Sequence, residues 1–108
     1  MKTLKMDTIY MEKIKGNKKT TTIRKKTDLE VGDEIKILYV AGTVCCYDER
    51  DYIVTRITKT HFKYLTIDDA WSDGFDTVRE LVMQLQKYYS DLDYETELYI
   101  IEFKEWEI

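Results

Sequence analysis

Period-two alternation dominates this chain and restricts it to a fold built around a sheet. A stretch that alternates apolar with polar residues sends one row of side chains into a core and the other outward. Such stretches run over Thr20 to Arg24, Glu34 to Val40, Asp51 to Thr60 and about Thr96 to Lys104. The second becomes fully apolar at Ile37-Leu38-Tyr39-Val40, as a strand does on entering a closed barrel. Leu4 to Met6 can begin another strand. Val44 to Tyr47 reads as a short one, set off by Ala41-Gly42-Thr43 before it and by a polar tip at Asp48-Glu49-Arg50 after it. His61 to Leu65 extends the sheet, and Leu29 to Asp33 is a turn.

Helical spacing is confined to three places. Asp7 is suited to cap a helix carrying Ile9, Tyr10 and Ile14 on one stripe, and Gly16 and Asn17 are suited to end it. Thr66 can cap a short turn through Ile67 to Trp71 that stops near Gly74. Thr77, with Glu80 three residues on, starts the clearest helix. Its stripe of Val78, Leu81, Val82, Leu85, Tyr88 and Tyr89 reads as core, without a functional role. Four to six strands with two or three helices in 108 residues predict an α+β fold, a small β-barrel with the helices packed on it. Proline is absent and there are only four glycines, so no linker divides the chain and residues 1–108 form one domain.

The charge is unevenly spread. Net charge is −4, yet residues 1–27 hold nine Lys or Arg against Asp7 and Glu12 alone. A weakly acidic whole argues against strong non-specific duplex binding, whereas a basic mouth on an acidic body suits a small or single-stranded anion. No apolar run approaches a membrane span, and Met1 to Asp7 lack the apolar core of a signal peptide. The expectation is a cytoplasmic protein with no membrane partner. Cys45 and Cys46 are adjacent and read as strand neighbours, one in the core and one outside. With His61 the only histidine and no CxxC pair, neither a metal site nor a cofactor is expected.

The densest chemistry lies in Asn17-Lys18-Lys19-Thr20-Thr21-Thr22-Ile23-Arg24. On a strand, Thr20, Thr22 and Arg24 share a face while Thr21 and Ile23 take the other, and Lys19 can fold over the first. An amine, a hydroxyl and a guanidinium converging on one hollow suit a phosphate- or carbonyl-bearing ligand.

The order of these segments resembles the ASCH domain, a small β-barrel family related to PUA domains and associated with RNA. The matching pieces are the Gly16 to Arg24 run, Val31-Gly32-Asp33, Ala70-Trp71-Ser72-Asp73-Gly74-Phe75 and Leu98-Tyr99-Ile100-Ile101-Glu102-Phe103. Against the family pattern G-x-K-x-x-T-x-R, this chain matches at Lys19, Thr22 and Arg24, with Asn17 in the glycine position. In size it is similar to short bacterial proteins resembling N(4)-acetylcytidine amidohydrolase. That resemblance implies Lys19, Thr22 and Asp73 as the catalytic group, aspartate standing where the family has glutamate, with Asp69 as an alternative acid. On their own chemistry, Asn17, Lys18, Arg24 and Trp71 are the residues expected to hold a nucleoside or single-stranded RNA. Lys19 would take the Thr22 proton, its pKa lowered by Arg24 and Lys18. Arg24 would face the oxyanion, Asp73 would protonate the leaving nitrogen, and Trp71 or a tyrosine would stack on the base. The alternatives are a non-catalytic RNA-binding module and an RNA-cleaving protein.

Overall fold

The computed structural model describes residues 1–106. Strand β1 (Lys2–Asp7) runs through a single 3₁₀ turn (Thr8–Tyr10) into helix α1 (Met11–Lys15). Strands β2 (Thr21–Arg24), β3 (Glu34–Ala41) and β4 (Val44–His61) follow, then helices α2 (Ile67–Ser72) and α3 (Val78–Tyr88), and finally β5 (Glu97–Glu105). The α+β class expected from periodicity is the one observed.

The five strands form one sheet in the order β1-β3-β4-β5-β2, with β1 and β3 parallel and the other pairs antiparallel. Register shifts between Lys36 and Leu38 and between Val54 and Arg56 bend the long strands, and the sheet curls into a half-barrel. Its two edges, β1 and β2, meet across a seam that side chains bridge. Arg24 Nη2 donates to the Lys5 carbonyl at 2.5 Å there.

Two apolar clusters hold this shape. Ile35, Ile37, Tyr39, Val54 and Ile101 fill the curl, while Ile23, Ala70, Leu81, Leu85 and Leu98 join its outer face to α2 and α3. Phe75 packs against both clusters. The strand faces follow from pairing: Thr22 lies opposite Ile101 and Arg24 opposite Tyr99, so both point into the curl. Ile23 faces the helices instead.

Several expectations are corrected here. The interruption at Asp48 does not exist, because β4 runs unbroken from Val44 to His61. Asp48 is almost fully buried rather than a tip, with its carboxylate accepting from Tyr39 Oη (2.7 Å), Tyr52 Oη (3.0 Å) and Arg50 N (3.0 Å). Burial opposes its charge, but these bonds and the Arg50 side chain outweigh it and hold the carboxyl below the usual carboxylate range. Cys45 and Cys46 are both exposed. The hairpin end that carries them pairs with β3 alone, since β5 joins β4 only from Tyr52 onward, so neither face is covered. Thr20 precedes β2 instead of starting it, and after His61 the chain turns into a 3₁₀ segment, Phe62–Tyr64.

Asp7, Thr66 and Thr77 all cap helical segments as expected, and Thr66 forms a full capping box with Asp69. Among the described residues no helix is long and apolar enough to cross a membrane.

Candidate functional site

The turn after α1 is built so that Lys19 points inward. Asn17 adopts φ 59°, the left-handed conformation that asparagine tolerates better than other non-glycine residues. The next two amides, Lys18 N and Lys19 N, both donate to the Lys13 carbonyl at the helix end. Thr20 N then donates to the Ser72 carbonyl at 2.8 Å, docking the start of β2 onto the end of α2. One residue beyond Ser72 stands Asp73. This docking brings the two motif segments together.

The Lys19 amine donates to Asp73 Oδ1 at 2.5 Å and to the Asp73 carbonyl at 3.2 Å. Only 3% of Lys19 and 5% of Asp73 is exposed. Gly74 makes the approach possible: at φ 91° it is in the glycine-favoured region, and a Cβ there would lie 3.3 Å from Lys19 Cβ and 3.1 Å from Lys13 Cδ. Taking two ions out of water costs more than their attraction returns unless further bonds satisfy them. Burial accordingly pushes the Lys19 amine down, against the pull of Asp73 and with help from Arg24 and Lys13. Burial likewise pushes the Asp73 carboxyl up. The Tyr10 ring lies 4.7 Å from Nζ, within cation–π range.

Thr22, 4% exposed, accepts from Arg24 Nε at 3.1 Å. No hydrogen bond joins Lys19 to Thr22, so a proton passing between them needs a small movement or a bridging water. Arg24 is tied at Nε to Thr22 and at Nη2 to the Lys5 carbonyl, and among the described residues its Nη1 has no hydrogen-bond partner.

These four side chains line one cavity of about 180 Å³ at the barrel seam. A cavity of about 150 Å³ takes a single benzene ring, so this one fits one six-membered ring with a small substituent. Tyr10, Gln84 and Tyr88 line it too. Burial and the neighbouring Tyr88 hydroxyl hold the Tyr10 phenol protonated.

Other sequence-predicted residues stand elsewhere. Trp71 is 57% exposed, donates its indole N–H to the Asp76 carbonyl and does not line the cavity. It lies on the outward face of a six-residue helix whose inward face is taken by Ala70. Asn17 and Lys18 are exposed and also lie outside the cavity, since the turn that aims Lys19 inward aims them away. Asp69 is committed to the α2 cap, accepting from Thr66 N at 2.9 Å. Lys13, not Lys18, joins Arg24 in lowering the Lys19 pKa, and burial outweighs both. Gln84 carries no signal in the sequence, and Tyr88, expected in the core stripe, is 48% exposed at the cavity rim. An i, i+4 pair on a core-facing helix reads as packing, and only the seam opposite shows where their polar tips lead.

Among the described residues, no group of three His, Cys, Asp or Glu is placed to hold a metal ion. The cavity presents an amine, a carboxyl, a hydroxyl and a guanidinium, a set suited to acyl transfer or anion binding.

A curled half-barrel of this topology with three helices has a small α+β, PUA-like fold, and comparison with solved structures specifies it. The chain has the fold of the ASCH domain: it superposes on an ASCH domain from Lactobacillus crispatus JV V101 with a TM-score of 0.78 at 12% identity, covering 96% of this chain and 79% of that one. It is also similar to the hypothetical protein PH0355 (TM-score 0.69, 19% identity, 98% of this chain and all of that one). A third match is ZmASCH from Zymomonas mobilis, solved as a point mutant (TM-score 0.62, 12% identity, 94% of this chain and 67% of that one). No family model matches the sequence, and no curated protein matches it significantly.

Proposed function

We propose that this protein is an ASCH-type hydrolase that cleaves the exocyclic amide of an acylated pyrimidine such as N(4)-acetylcytidine. The observation that carries this reading is the buried Lys19–Asp73 pair in a ring-sized cavity shared with Thr22 and Arg24. A surface ion pair needs no such cost, and perturbed pairs of this kind concentrate at functional sites.

Burial favours the uncharged forms, an amine on Lys19 and a carboxylic acid on Asp73. The Lys19 amine takes the Thr22 hydroxyl proton as Oγ1 attacks the acyl carbon. Arg24 faces the oxyanion that forms. As the C–N bond breaks, Asp73 protonates the departing amino group, leaving an ester on Thr22 and a Lys19 ammonium beside an Asp73 carboxylate. Water then attacks the ester with Asp73 as base, and the Lys19 ammonium returns a proton to Thr22. The net reaction adds one water across the amide, and the carboxylic acid product leaves.

The test is direct. Purified protein incubated with N(4)-acetylcytidine is expected to release cytidine and acetate, and Thr22→Ala and Lys19→Met proteins to release neither. Intact substrate with folded wild-type protein would remove this reading.

A second reading is a single-stranded RNA module without turnover. It is favoured by the exposed lysines of the basic N-terminal quarter and by Arg24 at the seam, whose Nη1 has no partner among the described residues. The cavity admits one base, not a strand, so a strand would lie outside it with one base inserted. Binding to a short oligonucleotide that weakens steeply with salt and with Arg24→Ala, without product, would favour it.

A further inference from the structure

Helix α3 brings a different chemistry to the cavity from that of the seam. Leu81 and Leu85 are buried against it, and one turn outward their neighbours Gln84 and Tyr88 present polar tips. Gln84 Nε2 donates to Tyr88 Oη at 3.2 Å. With one N–H given to Tyr88, the carboxamide keeps its carbonyl oxygen and its second N–H for a ligand. Lys19, Asp73 and Arg24 are ionisable and committed to one another, to Thr22 or to backbone. Among the described residues lining the cavity, Gln84 is the one carboxamide, with its donor and its acceptor on separate atoms of one planar group.

We infer that Gln84, braced by Tyr88, is the specificity-determining residue of this cavity, pairing its carboxamide with the donor–acceptor edge of a neutral planar ring. The inference rests on the hydrolase reading and adds to it the feature of the ring that is recognised. The ring must carry an N–H beside an acceptor nitrogen, as an N-acylated aminopyrimidine does. A carbocyclic amide of the same size lacks the ring nitrogen.

The test compares N(4)-acetylcytosine with acetanilide, which keeps the acylated amine on a planar ring but lacks the ring acceptors. Binding is measured by calorimetry to the Thr22→Ala protein, so that neither compound is consumed, with and without Gln84→Leu. The expected result is that the parent prefers N(4)-acetylcytosine at least tenfold and that Gln84→Leu removes most of this preference, weakening acetylcytosine about tenfold and acetanilide less than threefold. Tyr88→Phe, which removes the brace and leaves the carboxamide, is expected to weaken acetylcytosine about threefold. A preference that survives Gln84→Leu, while the Thr22-containing protein still cleaves acetylcytosine, would overturn this inference and leave the hydrolase reading standing. Absence of binding by either compound would overturn both.

Discussion

The Lys19 amine rests 2.5 Å from the Asp73 carboxylate although the two residues lie 54 positions apart and almost no water reaches either. One side chain enters from the turn after α1 and the other from the end of α2, and the Thr20–Ser72 backbone bond holds the two segments in register. Most of the chemistry available to this fold depends on that meeting.

Removing one partner strands the other. Lys19→Met and Asp73→Asn are each expected to cost about 3 kcal/mol of stability, because a buried group loses its main hydrogen-bond partner. The double variant should lose distinctly less than the sum of the two. Urea unfolding of the four proteins measures this directly, and strict additivity would show that the pair is not energetically coupled.

Turnover should follow a bell-shaped pH profile. Lys19 acts as base only when neutral, and its pKa is lowered, so the rate rises with pH through the acid limb. Asp73 donates only while protonated, and its pKa is raised, so the rate falls again as that proton leaves. The two apparent values belong to the pair rather than to either residue. For stability the same shifts oppose each other. Lowering the Lys19 pKa makes stability rise with pH below its unfolded value, whereas raising that of Asp73 makes stability fall with pH above its unfolded value. A profile of kcat/KM against pH with no acid limb would contradict the role given to Lys19.

Arg24 joins two tasks. Arg24→Ala should reduce turnover about 10²-fold or more through loss of oxyanion stabilisation. It should also cost about 1–2 kcal/mol of stability, because the Lys5 carbonyl and the Thr22 hydroxyl both lose a donor. Thr22→Ser, which keeps the hydroxyl, should retain measurable turnover where Thr22→Ala has none. Steady-state kinetics beside thermal melting separates these effects.

Gly74→Ala should damage the site from outside it. The positive φ and the 3.3 Å approach to Lys19 Cβ together predict a loss of about 1–3 kcal/mol and a displaced amine. Activity that falls further than the melting temperature alone explains would show the displacement.

Asp48 offers a prediction away from the site. Its folded pKa lies below the unfolded one, so its contribution is present above the unfolded value and is lost as pH falls through the folded one. Asp48→Asn should cost about 1–3 kcal/mol at neutral pH and flatten the acid side of the stability curve. Parallel acid titrations of the two proteins by circular dichroism provide the measurement.

Much of the architecture was legible from local signals. Alternation located β2, β3, the second half of β4 and β5, and Asp7, Thr66 and Thr77 marked helix starts through their own hydroxyl or carboxylate acceptors. The errors cluster where long-range pairing overrides local character. Asp48-Glu49-Arg50 is polar enough for a turn, yet Tyr39 and Tyr52 reach it only because β3 and β4 pair. Cys45 and Cys46 read as a half-buried strand pair, yet both are exposed on a hairpin end that β5 does not reach.

What the sequence alone determined is the inventory and its spacing: which segments become strands or helices, and that an amine, a hydroxyl and a guanidinium sit within six residues of chain. Those follow from backbone sterics and periodicity, which act over a few residues. The tertiary structure alone decided that Lys19 meets Asp73, that Trp71 faces outward, and that Gln84 and Tyr88 reach the seam. Such relations depend on how the sheet curls and where α2 and α3 dock, and that is set by burial summed over the whole chain rather than by any one segment.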